Sequence, residues 1–226
     1  MTSTDLTAMD GEPLTPAADC ALCERLADFR HEWQIAEPSW YNAPVPTFGA
    51  LSSALLVVGL APGLRGANRT GRPFTGDAAG VLLYQTMLDH GFAEGRFDAR
   101  PDDGLTLVDA AVTNAVRCVP PKNKPTGAEI RTCRPFLSAT MAAMPNLRAV
   151  LALGRISHDS LVATLGVARR DMPFGHGAVH NAPSGYRVFD SYHCSRYNTN
   201  TRVLTPAMFN AVFADIRGHI ERSRQA

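Results

Sequence analysis

The segment from Leu55 to Leu83 most constrains how this chain folds, because it has the pattern of a strand, a tight loop and a helix in succession. Its first residues, Leu55–Val58, form a short continuous apolar run, which is typical of a strand covered on both faces. The loop that follows contains several glycines, so its backbone N–H groups can approach a ligand closely. A helical pattern of apolar residues begins after Asp77. In open α/β sheets ligands bind at such corners, and we predict a ligand site here.

Strand and helix patterns alternate along the rest of the chain, which predicts an α/β fold with a mainly parallel sheet and helices on both faces. The predicted strands cover residues 54–59, 105–113, 148–153 and 186–192. The predicted helices cover residues 19–29, 77–90, 127–144, 154–165 and 206–222. No boundary divides the chain, so we expect one domain over residues 1–226, with a flexible polar tail at about 1–16.

Three polar segments follow predicted strands directly. They are residues 59–77, 114–117 and 193–198. Parallel strands place their carboxyl ends at one edge of the sheet. The three segments are therefore predicted to converge on a single crevice.

Composition and charge argue against several classes of protein function. A net charge of +1 over 226 residues argues against disorder and against a polycation that binds nucleic acid over its whole surface. No apolar run has the length of a membrane span and no signal-peptide core is present, which predicts a cytoplasmic protein. The run GLAPGLRG lacks the lysine and spacing of a Walker A loop, so a nucleotide cofactor is disfavoured.

Four of the five cysteines have a spacing that suggests ligands. Cys20 and Cys23 form a C-x2-C pair, and Cys118 and Cys133 follow later in the chain. Four thiolates suit either a structural zinc ion or an iron–sulfur cluster, and spacing alone does not choose between them. The alternative is a set of buried, unligated thiols. Cys194 is separate from these four and lies in the third polar segment.

Three motifs resemble those of uracil-DNA glycosylases of the iron–sulfur type, in particular the type-b branch, also called family 5. The motifs are GLAPGLRGANRTGRPFTGD, TNAVRCVPPKNKPT and YHCSRYNTNT, and the resemblance spans about residues 20–205. It implies a three-layer α/β/α fold around a four-stranded parallel sheet. It also implies a structural [4Fe–4S] cluster on Cys20, Cys23, Cys118 and Cys133.

The motifs depart from related patterns at two positions. The type-a relatives carry an acid directly after the first glycine of GxAPG, where this chain has Leu60, as is usual for type b. The third motif commonly reads His-Pro-Ser, and here Cys194 takes the place of the proline.

Two titratable residues are the main catalytic candidates. The resemblance implies that Asp77 is the catalytic acid, where it would orient a water molecule or stabilise a sugar cation. The alternative is that Asp77 only caps the helix that follows it. His193 follows a strand and can donate a hydrogen bond to the departing base; a purely structural histidine is its alternative.

The remaining pocket residues are candidates for binding the base. Asn114 has both a donor and an acceptor, as needed to read a base edge, and is a third catalytic candidate; turn formation is its alternative. Phe74 can stack on a flipped base, or it is an ordinary core residue. The resemblance adds the backbone of Leu60, Ala61 and Gly63.

Basic and polar residues near these motifs are candidates for contacts with DNA. The positively charged ones are predicted to contact phosphates, with a solvated surface charge as the alternative in each case. The resemblance also implies that segment 195–201 wedges into the minor groove. The predicted DNA contacts are Arg65, Arg69, Arg72, Lys122, Lys124, Ser195, Arg196, Asn198 and Arg202.

We interpret the chain as a monofunctional, monomeric DNA glycosylase that hydrolytically removes uracil, with hypoxanthine and xanthine as further candidate bases. Two other functions are kept as alternatives. One is an iron–sulfur protein that binds damaged DNA without catalysis, which Leu60 and Cys194 keep open. The other is a zinc-stabilised hydrolase of free nucleosides.

Overall fold

The structure is a computed structural model and describes residues 14–225. Residues 1–13, most of the predicted flexible tail, lie outside the described part. The helices are α1 (Glu24–Ala36), α2 (Ala67–Thr70), α3 (Ala78–Asp89), α4 (Gly127–Ala142), α5 (Arg155–Thr164), α6 (Arg196–Asn200) and α7 (Pro206–Gln225). The strands are β1 (Phe48–Gly49), β2 (Leu55–Gly59), β3 (Ala93–Glu94), β4 (Thr106–Leu107), β5 (Ala110–Asn114), β6 (Ala149–Leu153), β7 (Val179–Asn181) and β8 (Arg187–Ser191). A short 3-10 helix covers Pro121–Asn123.

The main sheet has six strands in the order β1-β5-β2-β6-β8-β7. The four central strands, β5, β2, β6 and β8, are parallel, which confirms the predicted four-stranded parallel sheet. Two short antiparallel strands, β1 and β7, extend it at the edges. They lie outside the predicted strands and helices, because strands of two or three partly exposed residues carry too little alternation to be recognised.

Two predicted elements differ from the structure by more than a few terminal residues. The predicted strand 105–113 is divided into β4 and β5, since Asp109 between them has a left-handed φ of 54°. The Asp109 side chain accepts a hydrogen bond from the backbone N–H of Ala54, which fixes the break. The predicted helix 19–29 begins at Glu24 instead and continues to Ala36. Cys20 therefore lies in the loop before α1, and Cys23 is its N-cap residue.

Both faces of the sheet are covered by helices. Leu55 and Val57 of β2 point into a core shared with α3 and α7. Leu56 and Val58 point to the opposite face, where α4 and α5 pack. The alternation within one strand thus builds two cores, as expected of a strand buried on both sides. This arrangement confirms the three-layer α/β/α architecture. Within residues 14–225, no helix is long and apolar enough to cross a membrane.

Candidate active site

A cavity of about 420 Å³ opens at the edge of the sheet where the parallel strands end. All three predicted polar segments contribute to its wall, which confirms that they converge. The cavity is lined by Leu60, Ala61, Pro62, Gly63, Ala67, Phe74, Asp77, Ala78, Ala79, Asn114, Asn123, His193, Ser195 and Arg196. This set includes every residue predicted to bind or act on the base.

Asp77 is the N-cap residue of α3 and also lines the cavity. Its Oδ1 accepts hydrogen bonds from the backbone N–H groups of Ala79 at 3.0 Å and Gly80 at 3.2 Å. No described residue donates a hydrogen bond to Oδ2, which lies against Gly66. A Cβ atom at Gly66 would lie 2.6 Å from this oxygen, so any larger residue here would displace the Asp77 carboxylate. One carboxylate oxygen therefore caps the helix while the other stays available.

His193 lies just beyond β8 and faces the Phe74 ring, with the ring centroids 6.0 Å apart and 30° between the planes. Burial lowers the pKa of His193 below its usual 6.5, although the negative charge of Asp77 opposes this shift. The imidazole is therefore neutral at pH 7 and keeps one N–H donor. Asn198 fixes the backbone here, since its Nδ2 donates a hydrogen bond to the His193 carbonyl at 2.8 Å.

Asn114 is the last residue of β5 and is almost completely buried. Its register partner is Gly59, the last residue of β2. A Cβ at Gly59 would lie 2.4 Å from Asn114 Oδ1 and 2.6 Å from the Phe74 ring. The absence of a side chain at Gly59 therefore leaves the space that these two side chains occupy. Among the described residues, none forms a hydrogen bond with the Asn114 carboxamide. This amide therefore faces the cavity with its donor and its acceptor unpaired.

The positively charged residues that were predicted to contact phosphates are exposed in the structure, with the exception of Arg72. Most of the positively charged side chains are exposed, and Arg196 also lines the cavity. The exposed set is Arg65, Arg69, Lys122, Lys124, Arg196 and Arg202. The prediction for Arg72 is wrong, because Arg72 is buried and its guanidinium is paired with Asp103.

Comparison with known families and proteins identifies the group to which this fold and cavity belong. Residues 46–217 match the family model described as the uracil DNA glycosylase superfamily. The chain belongs to the uracil-DNA glycosylase superfamily. The matched region contains the whole central sheet and all of the cavity-lining residues.

Within the superfamily, the chain is similar to proteins named Type-5 uracil-DNA glycosylase. The protein from Thermus thermophilus is 42% identical over 204 residues, which cover 88% of this chain and 92% of that protein. The protein from Mycobacterium leprae is 38% identical over 206 residues, covering 88% of this chain and 90% of its own length. The Type-5 protein from Pyrobaculum aerophilum is 38% identical over 196 residues and 83% of each chain.

The four spaced cysteines of this superfamily member meet at a second place, away from the base cavity. Cys20, Cys23, Cys118 and Cys133 line one cavity between α1, α4 and the loop after β5. Among the described residues, no three His, Cys, Asp or Glu side chains form a group that could hold a single metal ion. Cys194 is buried in the core on the α3 and α7 side of the sheet.

The surroundings of these cysteines suit thiolates. The buried Arg30 donates a hydrogen bond from Nη1 to Cys118 Sγ at 3.3 Å, and the backbone N–H of Arg117 donates to Cys133 Sγ at 3.3 Å. Burial raises the pKa of both thiols, and these contacts oppose that shift, because positive charge and N–H donors beside sulfur stabilise its anionic form. The donor set therefore fits a group that binds four thiolates.

Two features of this region were not specified by the sequence: the position of Asn123 in the cavity wall, and the exposure of Tyr197 within the predicted wedge segment 195–201. Asn123 lines the cavity from the 3-10 helix, where Lys122 and Asn123 both have a left-handed φ of 55°. Tyr197 is on α6 between Arg196 and Asn198, and 74% of it is exposed. An asparagine in a proline-rich loop tolerates a left-handed conformation, but this signal does not reveal which way its side chain points.

Proposed function

We propose that this protein removes uracil from DNA by hydrolysis of the N-glycosidic bond and leaves an abasic site. The observation that carries the proposal is the shared cavity of Asp77, Asn114 and His193, in which each side chain has a polar group without a described protein partner. The similarity to proteins named uracil-DNA glycosylase supports it. A single domain, acting as a cytoplasmic monomer, is part of the proposal and rests on the sequence alone.

The base enters the cavity after it leaves the stack. Asn114 offers one donor and one acceptor, which match the carbonyl and N–H groups along one edge of uracil. The Phe74 ring supplies a face for stacking. Since Asn114 is held at the end of a buried strand, little movement is needed when the base binds.

His193 and the backbone of Leu60, Ala61 and Gly63 line the part of the cavity where the base becomes an anion. Uracil leaves with the electron pair of the broken bond, so its carbonyl oxygen gains negative charge. A neutral imidazole N–H that donates to this oxygen stabilises the charge, and it does so best in a site that excludes water.

Asp77 acts on the sugar in this proposal. As the glycosidic bond lengthens, positive charge develops on the sugar ring, and a nearby carboxylate stabilises it. The free Oδ2 can also accept a hydrogen bond from the attacking water and then receive its proton. The Oδ1 contacts with the first turn of α3 keep this carboxylate in one orientation.

The exposed cations near the cavity are proposed to hold the DNA backbone. They contact phosphates and so position the duplex without reading its sequence. The Ser195 side chain caps α6, and the Asn198 side chain donates a hydrogen bond to the His193 carbonyl. These two contacts fix the start of α6 beside His193. The exposed Tyr197 at its surface has the apolar character of a wedge between base steps.

We also propose that Cys20, Cys23, Cys118 and Cys133 hold a [4Fe–4S] cluster with a structural role. The four thiols line one cavity, and the contacts of Arg30 and of the Arg117 backbone N–H with two of the sulfurs would suit the thiolate ligands of such a cluster. When bound, it would tie the segment before α1 to α4 and to the loop after β5. No step of the proposed reaction passes through it.

The size of the cavity favours a second group of substrates. A space of about 420 Å³ is in the range that accepts small organic ligands, and its volume does not restrict the site to pyrimidines. Hypoxanthine and xanthine, which also carry a carbonyl beside an N–H, are therefore proposed as further bases.

Release of each base from otherwise identical duplexes tests this proposal. Duplexes with uracil, hypoxanthine, xanthine or no lesion are incubated with excess protein, and abasic sites are revealed by alkaline cleavage. We expect release from the uracil duplex and none from the undamaged one. Binding to the lesion without release would support a damage-binding protein instead, and activity on free nucleosides with no effect on DNA would support the nucleoside hydrolase.

A further inference from the structure

Arg72 is a buried arginine two residues before Phe74, which lines the base cavity. Its Nη1 and Nη2 form a fork on the two carboxylate oxygens of Asp103, at 2.9 Å and 2.7 Å. The Asp103 side chain has no exposed surface. Burial alone would raise the pKa of Asp103, but hydrogen bonds from Arg72 and from two backbone N–H groups hold it well below its usual range. Asp103 is therefore ionised at neutral pH.

Arg72 also reaches the loop that carries Phe74. Its Nε donates a hydrogen bond to Thr75 Oγ1 at 2.7 Å, and this hydroxyl donates in turn to the Pro73 carbonyl at 3.2 Å. The hydroxyl of Tyr84 donates to the same carbonyl. The backbone is thus fixed on both sides of Phe74, which has a left-handed φ of 52°. A bulky residue adopts this conformation only when its surroundings impose it.

Three aromatic rings surround the guanidinium. Its central carbon lies 5.2 Å from the ring centroid of Phe48, 5.7 Å from that of Tyr84 and 5.8 Å from that of Phe97. These contacts compensate part of the cost of burying a charge. An apolar side chain would fill the same space without that cost. An apolar residue lacks the donors of the guanidinium. These donors bond Asp103 and Thr75 at the same time, and so link Asp103 to the Phe74 loop.

We propose that Arg72 is a positioning residue for base excision, which acts through Asp103 and Thr75 to set the Phe74 ring against His193. This inference rests on the proposed function, because the ring would stack on the excised base. If Arg72 served folding alone, its replacement would not affect the bound base more than DNA binding. In the proposed positioning role, its replacement affects the bound base more than it affects binding of DNA. Arg72→Lys keeps the positive charge but lacks the fork, so it separates the two roles.

Single-turnover uracil release by Arg72→Lys tests the inference, with Arg217→Lys as the matched control. Arg217 also lies over an aromatic ring, Phe92, and donates two hydrogen bonds to the His90 carbonyl, but it lies away from the cavity. We expect Arg72→Lys to slow release about tenfold and to weaken inhibition by free uracil, with duplex affinity within about twofold of the wild type. Arg217→Lys should leave the release rate within about twofold.

A double-mutant cycle with Phe74→Ala shows whether Arg72 acts through the ring. In the Phe74→Ala background, Arg72→Lys should change the rate by less than about twofold, because the positioned group is gone. Thr75→Val removes the hydroxyl that accepts from Arg72 Nε and donates to the Pro73 carbonyl, so it should slow release in the same direction. It replaces Arg72→Lys in the test if that variant does not fold. Equal losses in both backgrounds, or equal rates for the Arg72 and Arg217 variants, would overturn the inference. If the wild type releases no uracil, the proposed function itself fails, and that outcome is distinct.

Discussion

At the scale of single residues, Asp77 shows how one side chain serves both the fold and the proposed chemistry. Its Oδ1 is used by the first turn of α3, whereas Oδ2 has no described donor. Helix capping and catalysis were alternatives in the sequence, and the geometry makes them compatible. The cap even supports catalysis, because it fixes the carboxylate at the positive end of the helix dipole.

Substitution of Asp77 by Asn and by Ala separates these two roles. Asparagine caps a helix about as well as aspartate, so Asp77→Asn should change the free energy of unfolding by less than about 0.5 kcal/mol. It removes the negative charge, and uracil release should slow by about 100-fold or more. Asp77→Ala should show the same kinetic loss and also lose about 1 kcal/mol of stability. Chemical denaturation and single-turnover assays measure the two effects; an unchanged release rate in Asp77→Asn would remove Asp77 from the mechanism.

At the scale of elements, a buried histidine ties α5 to β8 and to the loop that precedes β7. His158 Nδ1 lies 2.7 Å from Asp190 Oδ1, and its Nε2 lies 2.8 Å from the Met172 carbonyl oxygen. Both partners accept hydrogen bonds, so the doubly protonated imidazolium satisfies them best. Burial opposes the charge, but the hydrogen bond and the charge of Asp190 outweigh it and raise the pKa of His158 above 6.5.

This contact predicts a pH-dependent loss of stability. Because the folded pKa is raised, the contribution of His158 is fully present below pH 6.5 and is lost as the pH rises through the folded pKa. The stability of the wild type relative to His158→Gln should therefore shrink as the pH is raised from below 6.5 into the alkaline range. Denaturant titrations of both proteins across this range measure the difference. A difference that stays constant or grows would contradict the expected protonation state.

The four-cysteine cavity joins elements that are distant in the sequence. We expect Cys133→Ala to abolish visible absorption and bound iron, and to lower the thermal midpoint, because a missing ligand exposes the proposed cluster. Cys194→Ala is the matched control, since Cys194 is buried but lies in another core. It should keep the iron and lose only the stability expected of a small core substitution. A wild-type protein that binds zinc in place of iron would contradict the cluster proposal.

The sequence predicts elements and their convergence better than it predicts side-chain partners. The buried strands and the helix cap at Asp77 follow from local pattern, and parallel topology then brings the three polar segments together. Arg72 was misassigned because its partner, Asp103, lies 31 residues away and no local signal links them. Asn123 was missed because its position in the cavity depends on the left-handed turn around it. Long-range pairing and loop conformation are set by the assembled fold, which local patterns do not specify.

At the scale of the whole molecule, charge is distributed unevenly although the net charge is only +1. Lys122 and Lys124 are exposed in the loop that also carries the cavity residue Asn123. Arg169 and Arg170 are equally exposed, but they follow the far end of α5, which starts at the cavity edge and runs away from it. We therefore expect Lys122 and Lys124, and not Arg169 and Arg170, to contact DNA bound over the cavity.

The salt dependence of duplex binding tests this placement. Replacement of both Lys122 and Lys124 by Gln should weaken binding and reduce the slope of log K against log salt by up to about 2, about 0.9 for each lost phosphate contact. The same change at Arg169 and Arg170 should leave the slope unaltered. Fluorescence anisotropy over a series of salt concentrations measures both variants. Equal slopes for the two double variants would show that the lysine loop does not contact the DNA backbone.

The central claim is that the cavity of Asp77, Asn114 and His193 breaks the bond between uracil and deoxyribose in DNA. The most direct test is single-turnover release of the free base, with protein in excess, from a duplex with one uracil and from the same duplex with thymine at that position. We predict complete release of uracil, an alkali-labile abasic site in the same yield, and no release of thymine. A folded, DNA-bound protein that releases no uracil would contradict the account.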